Sequence, residues 1–358
     1  MFLQPPLRVK LSDRIDVAVD THLMLCSELF KSALPFQQAI LQSGVGSLTI
    51  RSAQYQETVY EKLMSKLKVS AEASPKDRLR TLREVSADDL VLSYIALGSP
   101  VPAWQATVDG YFLKQNIAAS TLSSQKYHSS LKRILMGDCA AEGLIFAMPL
   151  QKQQWTFDRV KVLAVEVLGE ERASEVLQAY GISSNLPEDA LFPALVKLLS
   201  DAEWSQPMRE VAKSFSNGDV FYYHMAEGNP FDGPNKGSFH FFSPHLTSFL
   251  PILIIDRTGM AHHTVDLLYI FLTYQEHLPT PLAKLAETIA TQWLRFVNGG
   301  EPWKPYDQKA DGSSPLMYFG PNGEHKEVAE NSKPAYENIR LCERLQDSVG
   351  DFVGRLHR

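Results

Sequence analysis

The sequence predicts an α/β protein built on a mostly parallel sheet. Three observations carry this. Short runs such as "PFQQAILQSG" (35–44) and "DVFYYHMAEG" (219–228) are apolar and rich in strand-formers, they lie far apart in the chain, and long stretches of helical periodicity separate them. With 358 residues and 44% hydrophobic content, the chain can bury a sizeable core as one large or two ordinary domains.

Taken in order, "PFQQAILQSG" reads as a buried strand closed by a glycine turn, and "YQETVYEKLMSKL" follows with helical spacing at Val59, Leu63, Met64 and Leu67. "SPKDRLRTLREV" opens with Ser74 as N-cap and Pro75 at the first helical position. "SADDLVLSYIAL" opens with Ser86 and carries Asp89 at capping-box spacing. The stretch 101–113 reads as irregular, with a turn at Asp109 and Gly110. "SLKRILMGDCAAEGLIF" predicts a strand over 131–136, a turn at Gly137 and Asp138, and an exposed acidic loop ending at Glu142 and Gly143. Residues 157–211 read as helical, broken at 181–187 and near Pro193. "DVFYYHMAEG" is the next strand. "GMAHHTVDLLYIF" places His262 and His263 at the mouth of a helix, and "PLAKLAETIATQWLRFVNGG" is a helix stopped by Gly299 and Gly300. "LMYFGPNGEHKEV" reads as a hairpin turning at Asn322 and Gly323, and "ENIRLCERLQDSV" as one closing helix.

A net charge of -6 argues against nucleic acid or an anionic membrane as the main partner. The longest apolar run, "LTSFLPILII", contains Pro251 and is too short to span a bilayer. The N-terminus lacks a continuous apolar stretch of the secretory kind. Cys26, Cys139 and Cys342 are scattered and odd in number, which favours a reducing, cytoplasmic setting over a disulfide framework.

The chemistry-bearing signal is an order along the chain. An acid, Glu142, follows one strand, and a histidine, His262 or His263, follows a later one. A carboxylate that fixes an imidazole's tautomer lets that imidazole take a proton from a nucleophile. Read alone, this signal is weak and Glu142 reads as a solvated loop acid. "FQQAILQSG", "GDCAAEGLIF", "AHHTVDLLYIF" and "WLRFVNGGEPWKPY" together resemble the type-B carboxylesterase/cholinesterase family, in wording nearest its fungal members, and the likeness runs through most of the chain in the family's order. The resemblance implies an α/β-hydrolase fold and cleavage of small carboxylic esters through an acyl-serine intermediate, with no cofactor and no metal. It maps the catalytic acid onto Glu142. It maps the base onto His263, which has Asp266 three residues on and Phe271 eight residues on, with Thr264 where the family usually has glycine. His262 stays open as an alternate base, because a single sequence does not fix a loop register.

Two departures qualify the likeness. No serine has glycine both two before and two after it, as the family's G-x-S-x-G elbow requires, and Ser43 in "LQSGVGS" maps onto a structural serine. Residues 1–18 resemble nothing in the family. The expectation is therefore a partial α/β-hydrolase fold, in which 19–358 are the C-terminal part of the domain, the first strands and elbow are missing, and the chain is inactive. Second, residues 238–260 read as an insert, apolar and without periodicity, such as translated non-coding sequence would give. His224, His240, His245, His262 and His263 cluster in sequence but match no zinc spacing. Trp104, Tyr111, Phe112, Phe221, Tyr222 and Tyr223 fit either an ester pocket or core packing. Trp293, Phe296 and Trp303 read as structural. A non-catalytic interaction protein and a truncated pseudoenzyme are the competing readings. Oligomeric state is not legible.

Overall fold

Six strands lie in the sheet in the order in which the chain makes them. They are β1 (Val9–Lys10), β2 (Gln38–Gln42), β3 (Arg133–Cys139), β4 (Asp219–Met225), β5 (Pro315–Phe319) and β6 (His325–Ala329). Pairing is parallel from β1 through β5, and only β6 runs antiparallel. The computed structural model describes residues 9–10, 15–30, 34–48, 50–97, 105–231, 260–307, 312–332 and 336–357. The predicted insert, apart from Met260, lies outside them, as do His240, His245 and Trp104.

Thirteen helices occur among the described residues; α1 to α11 fall between successive parallel strands, and α12 and α13 follow β6. They are α1 (Ile15–Cys26), α2 (Ala53–Lys66), α3 (Pro75–Glu84), α4 (Ala87–Ile95), α5 (Ala147–Lys152), α6 (Phe157–Leu168), α7 (Glu170–Ala179), α8 (Glu188–Ser200), α9 (Gln206–Ser214), α10 (Val265–Ile270), α11 (Thr280–Val297), α12 (Tyr336–Leu345) and α13 (Asp347–Leu356). The chain divides into two units, Thr49–Asn116 and the remainder. In the smaller unit, Ser74 and Ser86 cap α3 and α4 by accepting from the N–H of Asp77 and Asp89, as the sequence predicts. Arg78 forks onto both oxygens of Glu61 at 2.8 and 2.7 Å, tying α3 to α2. The Asp109 carboxylate accepts from the N–H groups of Tyr111, Phe112 and Leu113 and so builds the expected turn.

In the larger unit β2 is buried throughout: Ala39, Ile40 and Leu41 supply its apolar middle, while Gln38 and Gln42 at its ends donate to Val297 O and Asp266 Oδ2. On one face Ile40, Leu135, Phe221, Tyr223, Met317 and Phe319 meet α10 and α11 through Leu268, Leu285, Ile289, Trp293 and Phe296. Phe221 and Tyr223 thus serve the core, as do Trp293, Phe296 and Trp303; Tyr222 is buried too, with its ring 5.7 Å from that of Tyr306. Tyr111 is exposed in the smaller unit.

Four local expectations are corrected. Gly137 and Asp138 form no turn, because β3 continues to Cys139. The glycine is there because Tyr223 of β4 lies against it: a Cβ at 137 would sit 2.3 Å from the Tyr223 carbonyl oxygen. Pro193 does not break α8; the buried row of Leu191, Leu195, Leu198 and Leu199 holds the helix through it. A break does fall at Gly169, whose φ of 80° ends α6 ahead of the acidic first turn of α7. The closing helix is two, separated by Gln346 at φ 44°.

His22 of α1 is fully buried beside the sheet. Its Nδ1 accepts from Gly46 N–H at 3.0 Å and its Nε2 meets Tyr127 Oη at 3.0 Å. Burial pulls its pKa down to about 4 from 6.5. The folded state therefore holds fewer protons on this ring than the unfolded chain does between those values. Stability contributed by the neutral ring is complete above pH 6.5 and is lost as pH falls toward about 4, by roughly 3 kcal/mol. Urea unfolding across this window should show that slope in the native chain and a flatter one in His22→Gln.

Candidate active site

The acid loop begins where β3 ends and is stitched to the strand beside it. Ala140 N–H donates to Met225 O at 2.8 Å, and Ala141 N–H donates to Ala261 O at 2.8 Å. Ala141 also forms a parallel bridge with His262. These bonds bring the loop after β3 and the residues ahead of α10 to one end of the sheet. Gly143 fits closely under α8, where a Cβ would come 2.5 Å from Val196 O, and its N–H donates to Ser200 Oγ at 2.9 Å.

Glu142 is wholly buried, contrary to the exposed loop that the sequence predicts. Its Oε1 accepts from Cys139 N–H at 2.7 Å, and its Oε2 lies 2.5 Å from His263 Nδ1. A buried carboxylate has to be compensated, and here one oxygen takes a backbone donor while the other takes an imidazole. With Nδ1–H donating to Glu142, a neutral His263 ring carries its lone pair on Nε2. The His263 side chain keeps 11% of its surface exposed, against none for Glu142.

His262 is arranged differently. It is buried, and its Nδ1 donates to the His263 carbonyl at 2.7 Å. The structure brings Glu142 to His263 and turns the ring of His262 into a brace for its neighbour's backbone.

Three parts of this neighbourhood do more than the sequence reading gave them. Trp204 sits in a one-turn π-helix, Asp201–Ser205, between α8 and α9. Its ring centroid is 6.4 Å from that of His263, and its Nε1 donates to Ser43 O at 3.0 Å. Ser43, at φ 55°, is 3% exposed and turned toward Cys139. Asp266, used in the sequence only as a register mark, is buried on the first turn of α10. Its Oδ2 accepts from Tyr223 Oη at 2.7 Å and Gln42 Nε2 at 2.8 Å. Burial pushes the Asp266 carboxyl up while those two donors pull it down. Burial, then the charges of Asp266, Glu142 and Asp138, pushes the Cys139 thiol up, so it stays protonated.

A second carboxylate–imidazole pair lies on the opposite face of the same strands. His224 Nδ1 is 2.8 Å from Asp138 Oδ1, and Ser205 Oγ donates to Asp138 Oδ2. The Ser205 hydroxyl is spent on the carboxylate rather than on the imidazole. Among the described residues no group of three His, Cys, Asp or Glu side chains could hold a metal ion, and no helix is long and apolar enough to cross a membrane.

An α/β sheet with an acid and a histidine meeting at the strand ends defines the hydrolase class of architecture. The sequence profile of the carboxylesterase family matches residues 18–339, and the chain belongs to that family. Solved structures with a similar fold include a PNB esterase (16% identity, TM-score 0.61, 93% of this chain and 62% of that one). The carboxylesterase EST55 of Geobacillus stearothermophilus, solved at pH 6.2, is comparable (18% identity, TM-score 0.63, 93% of this chain and 63% of that one). The chain thus spans a little over three-fifths of the length of these structures. No curated protein sequence matches it.

Thr264 follows the histidine at φ 70° and ψ 5°, the left-handed region, and its hydroxyl makes no capping bond to α10. A β-branched residue there is strained by roughly 1–3 kcal/mol, which accounts for the glycine that the resemblance puts at this position. Thr264→Gly should raise the unfolding free energy by about 1 kcal/mol, after the greater freedom of glycine in the unfolded chain is subtracted. Denaturant titration reads the sign directly, and a loss of stability would count against strain at this position.

Proposed function

We propose that this chain carries the acid–base half of a serine carboxylesterase. The reading rests on the 2.5 Å contact between Glu142 Oε2 and His263 Nδ1, with the second carboxylate oxygen anchored on Cys139 N–H. In the complete relay, His263 Nε2 takes the proton of a serine hydroxyl as that oxygen attacks the carbonyl carbon of a small carboxylic ester. Glu142 holds the ring in the Nδ1–H tautomer and stabilises the imidazolium. The imidazolium then returns its proton to the departing alcohol oxygen, and the same steps with water release the acid. His262, with its Nδ1 committed to the backbone, is a neighbour and not the base. No cofactor enters this scheme.

The 358 residues contain no G-x-S-x-G serine, and the elbow contributes an oxyanion donor as well as the nucleophile. The chain by itself is therefore inactive: it should not hydrolyse p-nitrophenyl acetate and should not be labelled by a fluorophosphonate. Labelling mapped to one serine overturns the inactivity. Ser12, which falls in sequence between β1 and α1 and lies outside the described residues, is the first position to inspect.

The relay itself is tested apart from turnover. In an NMR titration of the ring signals, Glu142→Gln should lower the His263 midpoint by roughly 1–2 pH units, because the imidazolium loses its contact carboxylate. An unchanged midpoint would remove the basis for the assignment.

A further inference from the structure

Two turns border His263, and one further imidazole touches both of them. His357 follows α13 and is 5% exposed. Its ring stacks on that of Phe146, with centroids 3.8 Å apart and planes within 10° of parallel. Its Nε2 lies 3.2 Å from Glu203 Oε1. Phe146 ends the 3₁₀ turn that Glu142 begins, and Glu203 precedes Trp204 in the π turn. A single side chain thus joins the turn that carries the site acid to the turn that carries the indole beside His263.

We infer that His357 is a positioning residue for the Glu142–His263 pair: it clamps the acid loop to the π turn, through Phe146 and Glu203, and so fixes the carboxylate and the indole around the site imidazole. The inference rests on the relay proposed above and names a support for it among residues that do not touch the reacting atoms.

The clamp reaches the site through rings in contact. Phe146 and Trp204 lie 5.7 Å apart between centroids, and Trp204 lies 6.4 Å from His263. His357, Phe146, Trp204 and His263 therefore form one continuous row, and the bond from Trp204 Nε1 to Ser43 O at 3.0 Å stops the indole from turning. In a close-packed interior a shift of one ring has to be taken up by the next. The contact at the end of the row, 2.5 Å from Glu142 Oε2 to His263 Nδ1, is the kind that weakens steeply with displacement. The choice of imidazole at 357 fits a bridging role. A carboxylate only accepts, so Nε2–H donates to Glu203, while Nδ1 is buried with no hydrogen-bond partner among the described residues. The ring thus uses one face and one nitrogen: a phenyl would stack without bonding, and an amide would bond without the aromatic stack. The residue before it is pinned as well, since Trp155 Nε1 donates to Leu356 O at 2.9 Å.

The test follows the proton between His263 Nδ1 and Glu142 by NMR in the full chain, through its exchange with water. His357→Ala should speed that exchange roughly tenfold, because the acid loop and the π turn then open locally. The amide of Leu135, in the buried middle of β3, should keep its native rate to within about twofold. His357→Gln keeps the bond to Glu203 and His357→Phe keeps the stack on Phe146, so each should fall between the native chain and His357→Ala. A native rate in His357→Ala overturns the inference. So does an acceleration that Leu135 shares in full, which is the signature of a residue that only stabilises the fold. If His357→Ala does not fold, the Gln and Phe variants decide, and native rates in both overturn the inference. Failure here is separable from failure of the relay. A His263 midpoint moved by Glu142→Gln, with an exchange rate unmoved by His357→Ala, sinks only the role of His357, whereas a midpoint unmoved by Glu142→Gln sinks the relay.

Discussion

The parallel pairing of β3 with β4, in register from Arg133 and Asp219 to Cys139 and Met225, is the constraint on which the site depends. It makes two strands far apart in sequence end at the same level. The residues that follow the end of β3 can then bond across, Ala140 to Met225 and Ala141 to Ala261, and one step beyond the Ala141–His262 bridge stand Glu142 and His263. The same register sets Gly137 opposite Tyr223, and the missing Cβ lets the tyrosine lie flat enough for its hydroxyl to reach Asp266. A single slip in pairing would reverse every face and separate all of these partners.

Alternation along those strands also explains why one end of the sheet holds two histidine–carboxylate pairs of different character. Asp138 and Cys139 are consecutive, so they face opposite sides. On the side of Asp138, the Ser205 hydroxyl and the His224 imidazole converge on the two oxygens of one carboxylate. On the side of Cys139, a backbone N–H takes one oxygen of Glu142 and the imidazole of His263 takes the other. The two pairs differ in what meets the second carboxylate oxygen: a serine hydroxyl on Asp138, a backbone N–H on Glu142.

Much of this was legible in the sequence. The inner strands, the capped helices Ser74 and Ser86 introduce, the hairpin at Asn322 and the Glu142–His263 pairing all carry local or family-like signals, since caps, turns and apolar periodicity act over a few residues. What was missed acts over longer distances. Gly137 looks like a turn unless Tyr223 is known to lie across it. Pro193 looks like a break unless the apolar face that overrides it is known to be buried. Gln346 splits the last helix with no glycine or proline to mark it. Glu142 reads as exposed because acids usually are, and its burial depends on Gly143 tucking beneath α8. Trp204 and Gln42 reach the site through three-dimensional proximity alone.

The strained Thr264 shows how firmly the histidine is held. A left-handed β-branched residue persists only where its surroundings over-determine it. On its N-terminal side, the bridge between Ala141 and His262 and the bond from His262 Nδ1 to the His263 carbonyl fix the backbone. On its C-terminal side, Asp266 ties the start of α10 to β2 and β4 at once. The imidazole is therefore placed by the sheet and by its two flanking anchors. Such pre-organisation holds the imidazole in one orientation without help from flexible loop contacts. It also places the determinants of that geometry within this chain's own strands, whose register brings Glu142 to His263.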